Sequence, residues 1–525
     1  MGASFLSVVA LCFVLASSKV LRAGAASRSS GSYVISVDHQ AAGEQPYPRG
    51  CNSKQVSITV GTGKAAVNYA FTVDTGSAAL LMTCKTPTST TNCGGSLPAS
   101  SNYELTPAHT VTGNTCSVAN TGIGCLLPDQ QCFISEALTG DPGYYNINNG
   151  HIAQDTVTVQ NVLSGGRLSF KGMFGCAEAY IKCTPEQPDC FSDATQCPAA
   201  GASTDGLFAG SCPGSGNGIE AGWTFNVGGA PSAMAVPEQI YQAGLISKKV
   251  TGICYQRPQK DASCTNQLKP SSAVVLGPAL PRGMNSSQLH SAPLIPAVFP
   301  TPTDGSATPY THTFRSNVIS ASVPAFNNPS APLTCGYDGV SVLWDTGAYG
   351  QSTVPADAYD AFVAYWQAGY AAAKASALWV DHGWTIEPCT SPSAMCGSNV
   401  PDAEHACQQI TMPRSSSMQR RAKALLASMY PASIDITLEG GAVAQLPTAF
   451  PLSVCSGSRN TATTAVAVCS YVQGASPVGG YFWLAGPWFM GRFVQFDSSA
   501  PAAGFPESTG TVYWSDPISS CSFSS

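Results

Sequence analysis

Ala70-Phe71-Thr72-Val73-Asp74-Thr75-Gly76-Ser77, in the first half of the chain, is echoed by Val340-Ser341-Val342-Leu343-Trp344-Asp345-Thr346-Gly347-Ala348 in the second. Each stretch is an apolar, strand-like run that ends in Asp-Thr-Gly and then a small residue. A single Asp-Thr-Gly reads as a β-turn, because Asp and Gly both suit turns. Two copies, each closing a strand and one in each half, read as matched loops meeting at a junction. Asp74 and Asp345 then form a pair that can activate water and protonate a leaving group. Like charges at short range cannot both ionise easily, so such a pair shares one proton. Gly76 and Gly347 permit a tight turn and close approach of two backbones. Thr75 and Thr346 offer hydroxyls that can brace the opposite loop.

The rest of the chain supports this reading. Its 525 residues suit two domains or one bilobal enzyme. Charged residues are only 10% and the net charge is −6 with no basic block, so nucleic acid is not an expected partner. No metal or cofactor is expected. The apolar run Phe5–Ala16, followed by small residues to Ala26, predicts a signal peptide over 1–26 and export by the secretory route. There are 21 cysteines, and Cys12 lies in that leader, which leaves 20. A dense, even set in an exported chain predicts disulfides, here up to ten. Cys407 is a positional partner for Cys455 or Cys469. Asn285-Ser286-Ser287 is a glycosylation acceptor and predicts a surface loop.

Short runs bounded by Gly, Asn and Asp predict strands at Val56–Val60, Ala70–Val73, Thr156–Val159 and Leu168–Phe170. Ser272–Leu276, Val340–Trp344, Ile434–Leu438 and Phe493–Phe496 read the same way. Helices are predicted over 356–378, near 417–429 and over 237–243. Cysteine-rich stretches at Cys84–Cys132, Cys176–Cys212 and Cys389–Cys407 read as stapled insertions.

With these motifs in place, the chain resembles the pepsin-like aspartic proteases, the bilobal aspartic endopeptidases of eukaryotes. Gly150–Val157 resembles the strand returning from that family's flap, and Phe174-Gly175 the element crossing behind the first motif. Asp205-Gly206-Leu207-Phe208-Ala209-Gly210 resembles its Asp-Gly-Ile-Leu-Gly segment. Val236–Ser247, Ala273–Gly277, Tyr430–Leu438 and Trp483–Asp497 with Gly504-Phe505 follow in the family's order. The resemblance implies an all-β fold of two pseudo-symmetric β-barrel lobes, with a few short helices and disulfide-stapled insertions. The first lobe is expected over 33–278 and the second over 279–525. It further implies an aspartic endopeptidase, with a protein or peptide substrate in the inter-lobe cleft and pepstatin-type inhibitors. A monomer is expected. Asp74 and Asp345 would hold the attacking water, Thr75 and Thr346 would brace the loops, and Gly76 and Gly347 would line the floor. Ser77 would hydrogen-bond the outer oxygen of Asp74.

The sequence departs from the family in four places. Ala348 replaces a hydroxyl residue, which is expected to raise the pKa of Asp345 and shift activity to less acidic pH than pepsin's. No Tyr-Gly follows the outgoing flap strand Cys132–Leu138, so Tyr144 and Tyr145 are the flap candidates. Ala485-Gly486-Pro487 stands for the family's Leu-Gly-Asp. Little or no inhibitory prosegment separates the leader from the strand near Tyr33. The alternative function is a proteolytically inactive protein of this fold that binds or inhibits a partner.

Overall fold

The computed structural model describes residues 31–39, 54–85, 103–113, 124–127, 131–139, 145–163, 166–183, 218–225, 234–256, 272–300, 307–348, 352–382, 384–388, 407–413, 415–452, 463–470, 472–474 and 481–523. Alternation sets the strands. Lys54–Val60 and Ser433–Leu438 bury every second side chain, the period of a pleated strand with one face on a core. Val56, Ile58, Val60, Phe71 and Val73 are fully buried in the first half, as are Val342, Trp344, Ile434 and Ile436 in the second.

The two halves repeat one arrangement around their motif strands. Val67–Asp74 has an antiparallel neighbour in Lys54–Val60 and a parallel one in Gly218–Gly222. Ser341–Trp344 likewise lies antiparallel to Ala307–Ala325 and parallel to Phe482–Leu484. Each parallel strand is in turn antiparallel to the strand that follows the motif, Leu80–Lys85 or Ser352–Val354. A sheet shared by both halves joins them. Its order is Tyr33–Ser36, Ala273–Leu276, Val250–Tyr255, Arg492–Asp497, Gly510–Ser515 and Leu289–Pro300, antiparallel throughout.

The parallel strand beside the first motif is Gly218–Gly222, and Asp205–Gly210 lies outside the described residues. Gly222 explains the placement. A Cβ there would sit 2.6 Å from the Ala79 nitrogen and 2.8 Å from the Ser77 carbonyl oxygen, so only glycine lets this strand pass so close to the loop.

The helices follow the apolar spacing. Ala356–Ala375 buries Ala358, Phe362, Trp366, Gly369 and Ala373, a stripe at intervals of three and four. The helix predicted through 378 stops at Ala375. Ser376 turns extended, with ψ 144°, and its hydroxyl donates to the Ala373 carbonyl, offering the backbone a local alternative to another turn. A short helix, Ala377–His382, follows. Val236–Gln242 and Ser416–Ala427 lie within a residue or two of expectation. Among the described residues no helix is long and apolar enough to cross a membrane.

Disulfides Cys84–Cys176 and Cys254–Cys521 span 92 and 267 residues. Cys407 faces Cys469 across paired strands, and Cys455 lies outside the described residues. Cys335 is a free thiol, so the full pairing of twenty cysteines is not reached.

Gly369 marks a close helix contact in the second half, since a Cβ there would lie 2.8 Å from the Met429 backbone. Gly369→Val is expected to destabilise the fold by about 1–3 kcal/mol through overpacking, read as a lower urea midpoint.

Candidate active site

Both Asp-Thr-Gly loops arrive at one point. Four hydrogen bonds lock them together across the pseudo-twofold relation. Thr75 N donates to Thr346 Oγ1 at 3.1 Å, and Thr346 N donates to Thr75 Oγ1 at 2.9 Å. Thr75 Oγ1 donates to the Trp344 carbonyl at 2.7 Å, and Thr346 Oγ1 to the Val73 carbonyl at 2.8 Å. Each hydroxyl has one proton, and each spends it on the carbonyl that precedes the opposite Asp. The two threonines are buried, so all four bonds are shielded from water. The glycines bring the carboxyls close. A Cβ on Gly76 would lie 2.6 Å from the Asp345 carboxyl carbon, and one on Gly347 would fall onto the Asp74 carboxyl.

Asp74 and Asp345 are 8% and 5% exposed and hydrogen-bond each other. Their surroundings differ. Asp74 Oδ1 accepts from Gly76 N at 2.7 Å. Asp345 Oδ1 accepts from Gly347 N at 2.7 Å and Ala348 N at 3.1 Å, and its Oδ2 accepts from the Trp483 indole at 2.7 Å. Burial, then the charges of Asp345 and Glu220, push the Asp74 carboxyl well above the ordinary carboxylate range. Burial also raises Asp345, but the bonds from Asp74, Trp483, Gly347 and Ala348 oppose it. The geometry therefore favours the proton on Asp74 and the charge on Asp345.

Two expectations change. Ser77 does not reach Asp74 as its donor; its hydroxyl donates to Glu220 Oε1 at 2.7 Å and accepts from Ala79 N. Glu220 is a buried acid, and a carboxylate is the stronger acceptor for that single proton. Second, the hydroxyl absent at Ala348 does not leave Asp345 short of donors, because the Trp483 indole supplies one. Neither Glu220 nor Trp483 carries a site role in the sequence reading, although Trp483 opens a segment that resembles the family. An acid in an otherwise apolar strand, Gly218-Ile219-Glu220-Ala221-Gly222, was the available signal.

The hairpin of Cys132–Thr139 and Tyr145–Val162 stands where the flap was expected. Tyr145 opens the returning strand opposite Thr139, and Tyr144 lies outside the described residues. Asn285 is exposed and caps the short turn Ser286–Gln288, where its side chain accepts from Ser287 N at 3.1 Å.

No protein-family model matches this chain, and no curated protein matches it. Among solved structures, "Crystal structure of edgp" is similar over 95% of this chain and 99% of that one, at 16% identity and a TM-score of 0.51. The aspartic proteinase from Irpex lacteus is similar over 94% and 98%, at 13% identity and a TM-score of 0.43. The first likeness is one of fold alone, and the second adds nothing to it. The fold is all-β, two-lobed and pepsin-like.

Thr346→Val leaves the Val73 carbonyl and Thr75 N–H unpaired in a dry site. We expect a loss of about 2–4 kcal/mol in denaturant unfolding, with Thr346→Ser close to wild type. The dyad also makes stability pH-dependent. Asp74 has a folded pKa above its unfolded value, so its contribution is complete below the ordinary carboxylate value near ~4 and is lost as pH rises toward the folded one. Asp74→Asn should flatten that fall in a plot of Tm against pH.

Proposed function

We propose that this chain is an aspartic endopeptidase. The observation that carries the reading is the buried Asp74–Asp345 pair, two carboxyls held in contact with unequal donor sets. A water between them has a base on one side and an acid on the other. The ionised carboxylate takes a proton from water as its oxygen bonds to the scissile carbonyl carbon. The protonated carboxyl gives its proton to the carbonyl oxygen, forming a neutral gem-diol. The carboxyl that gained the water proton then protonates the amide nitrogen as the C–N bond breaks. The gem-diol returns a proton to the other carboxylate as it collapses to the acid. The dyad ends with one shared proton, as it began.

The Cys132–Thr139 and Tyr145–Val162 hairpin suits an extended peptide lying across the junction, with hydrophobic residues beside the cleaved bond. Disulfides Cys84–Cys176 and Cys254–Cys521 fit an exported protein, in keeping with the signal peptide expected over 1–26.

The test is cleavage of a denatured protein substrate over about pH 3 to 7, with and without pepstatin. A bell-shaped, pepstatin-sensitive profile is expected. Its basic limb should lie above the ordinary carboxylate range, because Asp74 keeps its proton there. Asp74→Asn and Asp345→Asn should each lower kcat by roughly 1000-fold or more with the fold kept. No cleavage by folded wild-type protein at any pH overturns the enzyme reading and leaves the binding or inhibitor protein.

A further inference from the structure

The two lobes place unlike residues at one equivalent position. Glu220 is the register partner of Thr72, two residues before Asp74. Trp483 is the register partner of Leu343, two residues before Asp345. Both sit on a strand that is parallel to the motif strand and antiparallel to the next strand, Glu220 opposite Leu81 and Trp483 opposite Thr353. Yet one is an acid and the other a hydrogen-bond donor with no acceptor capacity. We propose, resting on the endopeptidase reading, that Glu220 and Trp483 are positioning residues that break the dyad's symmetry, making Asp345 the base and Asp74 the acid.

The geometry on each side supports its half of the assignment. The Trp483 indole donates to Asp345 Oδ2 at 2.7 Å, on the oxygen that the backbone amides of Gly347 and Ala348 leave free. A fixed N–H stabilises the carboxylate and not the protonated acid. Glu220 acts on the other side through charge. It engages the Ser77 hydroxyl, three residues from Asp74, and so withholds that donor from Asp74. A second negative charge there disfavours a third, which keeps the proton on Asp74. Five titratable or charged groups among the described residues enter the argument. They are Asp74 and Asp345 themselves, Glu220 from the Gly218–Gly222 strand, and Tyr481 with Arg315 beyond Trp483. The Tyr481 ring lies 6.3 Å from that of Trp483, and the Arg315 guanidinium lies 5.4 Å over Tyr481. Arg315 is the register partner of Leu343, two residues before Asp345, so its positive charge belongs to the lobe that carries Asp345.

The two residues act on opposite limbs of the pH–rate profile. Trp483→Phe keeps an aromatic ring and removes the donor, so Asp345 ionises less readily. The acid limb of kcat/KM should move up by about one pH unit. Glu220→Gln keeps an acceptor for Ser77 and removes the charge, so Asp74 gives up its proton more readily. The basic limb should move down by about one pH unit. The double variant should show a bell narrowed from both sides. A purely structural role would lower activity at every pH and leave the limbs in place. Either limb unmoved in a folded, active variant overturns the assignment, as does movement in the opposite direction. If Trp483→Phe does not fold, the basic limb of Glu220→Gln decides alone. Failure of the endopeptidase reading looks different: folded wild-type protein would then cleave at no pH, and there would be no limbs to move.

Discussion

Everything at the junction depends on two carboxyl groups being held together against their own repulsion. The threonine lock is what holds them. Neither Asp-Thr-Gly loop satisfies its own backbone: the carbonyls of Val73 and Trp344 and the amides of Thr75 and Thr346 are all completed by the opposite half. A buried unpaired backbone group costs about 1–3 kcal/mol, so separating the loops exposes four such debts at once. The shared sheet, Gly76, Gly347 and Gly222 then follow as requirements. They bring two strands and two turns into contact with no side chain between them.

The locally written features were legible in the sequence. Asp74, Asp345 and their threonines and glycines follow apolar strands, and a period of two is readable over a handful of residues. The individual strands around them could be placed for the same reason. What was not legible comes from register between distant segments. Ser77 meets Glu220 across 143 residues and Asp345 meets Trp483 across 138. A hydroxyl missing at Ala348 looks like a deficit until the strand Phe482–Leu484 is laid beside the motif. Gly218–Gly222 carries a buried acid in a strand, which an apolar pattern does not reveal, and Ser77 from the first motif donates to it. The end of the long helix at Ser376 is another local competition, between a hydroxyl and the next backbone turn, that apolar spacing does not reveal.

Near-symmetry with a difference is a physical solution to an acid–base problem. A perfectly symmetric pair would leave the proton equally placed on either carboxyl, and each half of its population would offer the base on a different side. The backbone here repeats faithfully, motif strand by motif strand, while the donors do not: one amide for Asp74, and two amides with an indole for Asp345. The repeat builds the site and the side chains at equivalent positions polarise it.

The sheet that joins the halves also bears on how the chain is made. Val250–Tyr255 has Arg492–Asp497 as its outer partner, and Cys254 has Cys521. Both partners are synthesised more than two hundred residues later. At ribosomal speeds that is a wait on the order of tens of seconds, far longer than strands and loops need to form. Throughout it, the nascent first lobe presents an unpaired edge of six buried-type residues with a free thiol near its end. Shielding of this edge and its thiol until the last strand emerges therefore falls to a chaperone or a disulfide isomerase.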